Sequence, residues 1–325
     1  MMPKLSVIIP IYGVEKYIER CAQSLFEQTL DDIEFVFVDD CTNDNSIQIL
    51  LEVLSRYPSR ISQVKILSHT KNLGQAQSRL TGLEHATGEY VIHCDSDDWV
   101  DATLYEKMYA SATYHKCEIV VCDLLVERTQ SREVRIGTRT TDVPTFILNL
   151  LFQRDPVSLC NKLIKRSLYQ EEIQYPIDNM GEDMAIVLQM VKHCKSVSYV
   201  QDSYYHYDGT TMSITRKETK EAVLSRAEQA CRNVSLAIKP YCESDDEIVR
   251  AGAIRLKFMQ RRQYMPIINY PDVLDIWRKT FPEINHDVLF NKRISIPLWE
   301  WVKFVLTLLG VWPIIKRLVN RNIIH

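Results

Sequence analysis

Short apolar runs rich in β-branched residues alternate with amphipathic stretches through the first part of the chain. Leu5–Pro10, Glu34–Asp39, Val64–Ser68 and Tyr90–Asp95 have the length and continuity of strands buried on both faces. Between them, Val14–Glu27, Asn45–Arg56 and Gln75–Ala86 carry apolar residues at helical spacing. This rhythm predicts an α/β fold, a mostly parallel sheet flanked by helices. A helix over Ala102–His115 and a strand over Glu118–Leu125 continue the series. From Thr145 the pattern changes. Helices at Thr145–Phe152 and Glu182–His193 bracket a polar region, and Ser196–Gln201 has the pattern of a strand. Helical periodicity then runs through Arg216–Lys239 and Asp246–Gln263 and beyond. The expected division is a domain of residues 1–215 followed by a helical C-terminal region, 216–325.

Composition narrows the classes. A chain of 325 residues has room for one large domain and a smaller appendage. Its 46% hydrophobic and 25% charged residues argue against disorder and against a polytopic membrane protein. A net charge of −3 gives no reason to expect nucleic acid as a partner. Nine scattered cysteines without a CxxC pair point to reduced thiols and a cytoplasmic protein. The apolar run after Met1-Met2-Pro3-Lys4 is too short for a signal peptide, lacks a small-residue cleavage site, and is taken as the first strand.

In open α/β sheets, ligands bind beyond the carboxyl ends of the strands. Here the first strand exits into Pro10-Ile11-Tyr12, the second into Asp39-Asp40 and the fourth into Asp95-Ser96-Asp97-Asp98. Neither a GxGxxG turn nor a GxxxxGK[ST] loop is present, so the main-chain phosphate cradles of those motifs are excluded. A divalent cation is the alternative. Magnesium and manganese prefer oxygen ligands, and magnesium sites use few carboxylates plus substrate phosphate. Asp95 and Asp97 stand at i and i+2, on one side of extended backbone. The competing reading, in which these aspartates only cap a following helix, suits Asp98 best. Three adjacent carboxylates repel one another unless something cationic sits among them.

These blocks resemble glycosyltransferase family 2. The resemblance is carried by Leu5–Ile18, Gln28-Thr29, Phe37–Ser46, Asn72–Ala76, Ala86–Tyr90 and Asp95–Asp98, in the family's order over about the first 100 residues. It implies a GT-A fold with a helical C-terminal extension, and transfer of a sugar from a nucleoside-diphosphate donor, expected to be a UDP-sugar. It also implies Mn²⁺ or Mg²⁺. Pro10 and Tyr12 would lie against the base, Asp40 would accept from the uracil imide, and Asp39 would support that loop. Arg79 would be the basic residue near the donor. Asp95 and Asp97, with Ser96 between them, would form the DXD motif, Asp97 being the better candidate for direct metal contact. Gly13 stands where the family has asparagine, Cys41-Thr42 replaces Gly-Ser, and Leu80 follows Arg79 in place of asparagine; the carboxylates are intact.

An inverting transfer needs a carboxylate to take the acceptor proton. The family draws it from a Glu-Asp pair opening a helix, which the resemblance places at Glu182 and Asp183, with Asp183 as the base. The bland alternative is that acidic residues favour the first turn of any helix. Lys162 is a candidate for phosphate or acceptor contact, against the commoner surface lysine. His206 is a candidate acceptor or metal neighbour, against a packed aromatic strand. Asp202 and Asp208 are taken as turn residues.

Near the end, residues 296–321 combine tryptophans, an uncharged stretch at Phe304–Ile315 and flanking basic residues. From Asn291 onward six Lys/Arg face one acid, Glu300. Twelve uncharged residues are too few to cross a bilayer. An interfacial helix at the inner face of the cytoplasmic membrane, beside a glycan or lipid-linked glycan acceptor, competes with a tail helix packed on the domain. A sugar-phosphate nucleotidyltransferase would need a glycine- and arginine-rich loop where Pro10–Val14 stands. A non-catalytic nucleotide-sugar-binding scaffold or sensor remains the alternative, although it would not need Asp97 and Asp183.

Overall fold

A computed structural model describes residues 2–210 and 219–322, with side chains to Leu318. The expected boundary at 215, the start of a helix at Arg216, and the side chains of Val319–Arg321 lie outside the described residues. The chain forms two compact units. The first comprises Met1–Asn179 and Ile186–Met212, the second Met180–Ala185 and Ser213–His325.

In the first unit, β1 (Leu5–Ile11), β2 (Ile33–Asp39), β3 (Val64–Ser68) and β4 (Tyr90–His93) run parallel in the order β3-β2-β1-β4. Helices α1 (Ile18–Phe26), α2 (Ser46–Ser55) and α3 (Gln75–His85) connect them. Continuous burial holds for β1, β2 and β4. It fails for β3, which is the sheet edge and partly exposed. Helix α1 buries Ile18, Cys21, Ala22, Leu25 and Phe26, the spacing of one helical face, and Phe26 meets Phe35 edge-on at 5.5 Å.

The sheet continues through β5 (Trp99–Val100), α4 (Leu104–His115), β6 (Ile119–Arg128), β7 (Ser131–Arg135), α5 (Val143–Leu151), β8 (Lys162–Lys165), α6 (Glu182–Val191) and β9 (Val197–Asp208). Strand β8 lies antiparallel beside β4, followed by β6, β9 and β5, with β7 on β6. In this half only β6–β9 is a parallel pair. Sequence periodicity missed β5, β7 and β8. β5 is two residues long, β7 is exposed throughout and β8 is a four-residue segment bounded by lysines. β9 reaches Asp208 rather than Gln201, because an irregularity opposite Val121/Asp123, with Asp202 at φ 56°, interrupts its pattern.

Besides the first residues of α6, the described part of the second unit carries the helices α7 (Lys220–Cys242), α8 (Glu247–Arg261), α9 (Pro271–Lys279), α10 (Asn285–Phe290), α11 (Leu298–Leu308) and α12 (Val311–Asn322). Thr219 and Asp246 cap α7 and α8 by accepting main-chain N–H bonds. Phe258, Trp277 and Phe304 anchor its core, so α11 is packed on this unit by its inner face. Two cations of helix α12 donate to main-chain carbonyls. Lys316 Nζ donates to the carbonyls of Met265 and Pro266, and Arg317 Nε to that of Asn269 at 2.6 Å. Val311, Ile314, Ile315 and Leu318, spaced as one helical face, are left 37–57% exposed. Among the described residues all nine cysteines are free thiols.

Glu34, the second residue of β2, lies at the amino ends of the strands and is only 4% exposed. It accepts from Ser6 Oγ, the Thr87 amide and hydroxyl, the Gly88 amide, and Lys65 Nζ at 2.7 Å. Burial pushes its pKa up, but those donors outweigh burial and hold it below the ordinary 4.5. The resulting stabilisation is complete above 4.5 and is lost as pH falls through the lower folded value. Glu34→Gln is expected to cost about 1–3 kcal/mol at neutral pH. It should also flatten the acid limb of stability, measured by urea unfolding from pH 7 to 3.

Candidate active site

Two loops meet beyond the ends of β1 and β2. The amides of Gly13, Val14 and Glu15 donate to Thr42 Oγ1 (2.9 Å), Ser46 Oγ (3.1 Å) and Asp44 Oδ2 (3.0 Å). Asp44 Oδ1 also accepts from Thr42 Oγ1 and from the amide and hydroxyl of Ser46. Burial raises its pKa, but the Ser46, Glu15 and Thr42 donors bring it below the usual aspartate value. Cys41, at the site of the family's glycine, adopts φ 59°, a left-handed turn that glycine enters more readily. At the mouth of these loops Tyr12 is 52% exposed and Pro10 partly so.

The paired aspartates point to different tasks. Asp40 is 3% exposed. Its Oδ1 accepts from the Leu73 amide (2.7 Å) and lies 2.8 Å from His69 Nδ1, while Oδ2 accepts from the Gly74 amide at 2.8 Å. Asp39 is partly exposed, its Oδ1 accepting from the Thr42 amide at 2.9 Å. Gly74, at φ 91°, admits the side chain of Asn179, whose atoms lie 2.6 Å from where a Cβ would stand. Asn179 Oδ1 then accepts from the Ala76 amide at 3.1 Å, in the first turn of α3.

Arg79 is 2% exposed. Its guanidinium donates to Asp95 Oδ1 at 2.7 Å, and Gln75 Nε2 donates to the same oxygen at 3.0 Å. Asp95 Oδ2 stays outside these bonds. Asp97 is partly exposed and Ser96 is buried. Asp98 does not cap a helix, since β5 follows it. At 1% exposure its Oδ2 accepts from Tyr205 Oη (2.7 Å) and its Oδ1 from the Asp208 amide (2.8 Å). Burial first, then the charges of Asp97 and Asp95, push its pKa well above the aspartate range. Among the described residues no three His, Cys, Asp or Glu groups converge to hold a metal. Two partly exposed carboxylates with hard oxygens nevertheless fit Mg²⁺ or Mn²⁺, whose remaining positions substrate phosphate and water can fill.

Glu182 and Asp183 open α6 and belong to the second unit. Glu182 is buried and Asp183 partly exposed. The preceding turn is held by α7: the Met180 amide donates to Gln229 Oε1 (3.3 Å) and Asn233 Nδ2 to the Met180 carbonyl (2.9 Å). Lys162 is neither a surface lysine nor exposed to phosphate. It is fully buried, its Nζ donating to the Pro156 and Ser158 carbonyls and to Asn161 Oδ1. His206 stacks on Trp99 at 5.0 Å, with Nε2 2.8 Å from Asp101 and Nδ1 3.3 Å from Glu127. Asp208 ends β9 rather than sitting in a free turn, and it pairs with Arg20 at 2.6 Å. Sequence reasoning missed Arg20, whose partners Asp97 and Asp208 lie 77 and 188 positions away. It also missed Tyr205, legible only as one aromatic among four.

A sheet with a parallel half and an antiparallel insertion, bearing carboxylates at its strand ends, is of the GT-A type. The crystal structure of TarS 1–349 from S. aureus in complex with UDP-GlcNAc shares this fold (TM-score 0.59, 16% identity, 93% of this chain and 90% of that one). So does the mannosyltransferase PcManGT of Pyrobaculum calidifontis in complex with GDP-Man and Mn²⁺ (TM-score 0.57, 15% identity, 96% and 87% covered). The model of glycosyl transferase family 2 matches residues 6–173, and the chain belongs to that family. It is similar to the uncharacterized glycosyltransferase EpsJ of Bacillus subtilis, 26% identical over 242 residues, covering 69% of this chain. The chain spans less than two thirds of the first curated relatives, 66% of EpsJ and 64% of the next.

Asp40→Ala is expected to release the Leu73 and Gly74 amides, each costing about 1–3 kcal/mol when left unpaired and buried. Hydrogen exchange should then accelerate at residues 73–76 while β1 and β2 stay protected. Unchanged protection at 73–76 would show that the carboxylate does not hold the loop.

Proposed function

We propose that this chain is an inverting, metal-dependent glycosyltransferase. It moves a sugar from a nucleoside-diphosphate donor, a UDP-sugar, to a hydroxyl of a glycan or lipid-linked glycan in surface polysaccharide synthesis. The observation that carries the reading is the grouping of Tyr12, Asp39 and the Asp95/Asp97 pair at the carboxyl ends of β1, β2 and β4 in a family 2 chain. Residues 1–215 would be the nucleotide-sugar-binding and catalytic part, and 216–325 a helical extension.

Tyr12 offers an exposed ring against the base, with Pro10 behind it. Because both oxygens of Asp40 are engaged by main-chain amides, the more exposed Asp39 is assigned to the uracil imide and Asp40 to the loop. This exchanges the roles that the resemblance implies. Buried Arg79 is assigned to orienting Asp95 rather than to the diphosphate. Asp95 and Asp97 would hold Mn²⁺ or Mg²⁺, which when bound neutralises charge on the diphosphate leaving group. Asp183, supported by Glu182, takes the acceptor proton as the acceptor oxygen bonds the anomeric carbon. The carbon–oxygen bond to the diphosphate breaks on the opposite face.

Two variants test this. Asp97→Ala should abolish the tightening of UDP binding by Mn²⁺ in calorimetry. Asp183→Asn should keep UDP affinity while metal-dependent turnover of UDP-sugar falls about 10²–10⁴-fold. Turnover by Asp183→Asn at the wild-type rate would remove Asp183 as base. Binding without turnover of any nucleotide sugar by the wild type would favour a scaffold or sensor.

The chain's end is proposed to contact a membrane surface. Among the described residues no single helix is long and apolar enough to cross a membrane, and α11 with Val311–Leu318 bends by 102°. The support is the outward apolar face: Leu298, Trp299 and Leu309 with the α12 stripe. Since Lys316 and Arg317 are spent on carbonyls, the attraction is mainly apolar. Deleting 291–325 would remove Phe304 from a core, so Ile314→Glu with Leu318→Glu is the cleaner test. Co-sedimentation with anionic vesicles should be lost at unchanged melting temperature, and retained binding would overturn the idea.

A further inference from the structure

The turn that carries Asp95–Asp98 is gripped from two distant parts of the first unit. From α1, one nitrogen of Arg20 donates both to the Asp97 carbonyl at 2.8 Å and to Asp208 Oδ2 at 2.6 Å. Its guanidinium lies 3.7 Å over the ring of Trp99, and that indole stacks with His206 of β9. From β9, the buried hydroxyl of Tyr205 accepts from the Asp95 amide at 3.0 Å and donates to Asp98 Oδ2. The Asp208 amide meets the other oxygen of Asp98. Inside the turn, the Asp98 amide donates to the Asp95 carbonyl at 3.0 Å.

Each of these contacts addresses the main chain of the turn or the inward carboxyl group of Asp98. That is the pattern expected of groups that set a ligand's position without competing for the ion. Three carboxyl groups crowded within four residues would otherwise splay the turn. Turning Asp98 inward and tying the main chain on both sides leaves Asp95 and Asp97 as the outward pair. The pairing of β5 with β9, Trp99 opposite His206 and Val100 opposite Tyr205, brings the β9 side of the grip to the turn.

We propose that Arg20, Tyr205 and Asp208 are positioning residues for the cation site. They hold the 95–98 turn in the one shape that lets Asp95 and Asp97 share a divalent ion with the donor diphosphate. The inference rests on the assignment of that ion to Asp95 and Asp97, and the experiment separates the two. UDP is titrated calorimetrically into the full chain with and without Mn²⁺, for wild type, Arg20→Met, Arg20→Lys, Tyr205→Phe, Asp208→Asn and the Arg20→Met/Asp208→Asn double variant.

In the wild type Mn²⁺ should tighten UDP binding. Arg20→Met and Tyr205→Phe should each weaken the Mn²⁺-dependent affinity about 10-fold and leave the metal-free affinity unchanged, because the groups assigned to the base are untouched. Arg20→Lys should recover part of the loss. The double variant should lose less than the sum of its single variants, since the two groups act as one contact. No Mn²⁺ effect in the wild type would sink the cation assignment and this inference with it. A normal wild type with unaltered Arg20→Met and Tyr205→Phe would sink the positioning role alone. An equal loss with and without Mn²⁺, at a lowered melting temperature, would reduce both residues to general packing and also overturn it.

Discussion

A carboxylate removed from water is tolerated only when donors meet it, and this constraint organises the first unit. Asp98 is almost wholly buried beside two other aspartates, and what keeps it there is a tyrosine hydroxyl and one main-chain amide, both from β9. β9 reaches the site because the sheet does not end at β4. It turns antiparallel at β8, passes through β6, and brings in β9 and the two residues of β5. The irregular half of the sheet is therefore what lets an acidic turn stand at the end of a parallel strand.

The same solution recurs along the acidic strand ends. Asp44 collects the hydroxyls and amides that join the loops after β1 and β2, and Asp40 collects two amides of the segment before α3. Main-chain N–H groups donate at Asp40, Asp44 and Asp98 alike, whereas at Asp95 the donors are the side chains of Arg79 and Gln75. The effect is a division of labour. Some acids hold the walls, and Asp39, Asp95 and Asp97 stay partly exposed.

The parallel half was legible in the sequence because β1, β2 and β4 are buried along nearly all of their length, which leaves mostly apolar runs. The acidic motif was legible from its place at a strand end. Other features were not. β7 is exposed throughout and β8 spans four residues, so neither carries a period. Lys162 has the composition of a surface residue, and its burial is made tolerable by acceptors in its own loop, among them two carbonyls and Asn161 Oδ1. The pair Asp39-Asp40 looks symmetrical on paper, and the difference comes from amides more than thirty positions away. Arg20 sits on the polar side of an amphipathic helix, where a cation is ordinary, and its partners are set by topology. The basic tail invited an electrostatic reading, yet α12 spends two of its cations on carbonyls.

The hold of Asp40 on residues 73 and 74 has a consequence for how this region tolerates change. The carboxylate grips peptide N–H groups, which every amino acid but proline supplies, and ignores the identity of the side chains attached. Substitution across residues 70–73 should therefore be cheap, provided Leu73 does not become proline. Insertion or deletion there is another matter, because it would slide the wrong amides past Asp40 and carry Gly74 away from Asn179. In this stretch spacing, more than spelling, is what the fold enforces.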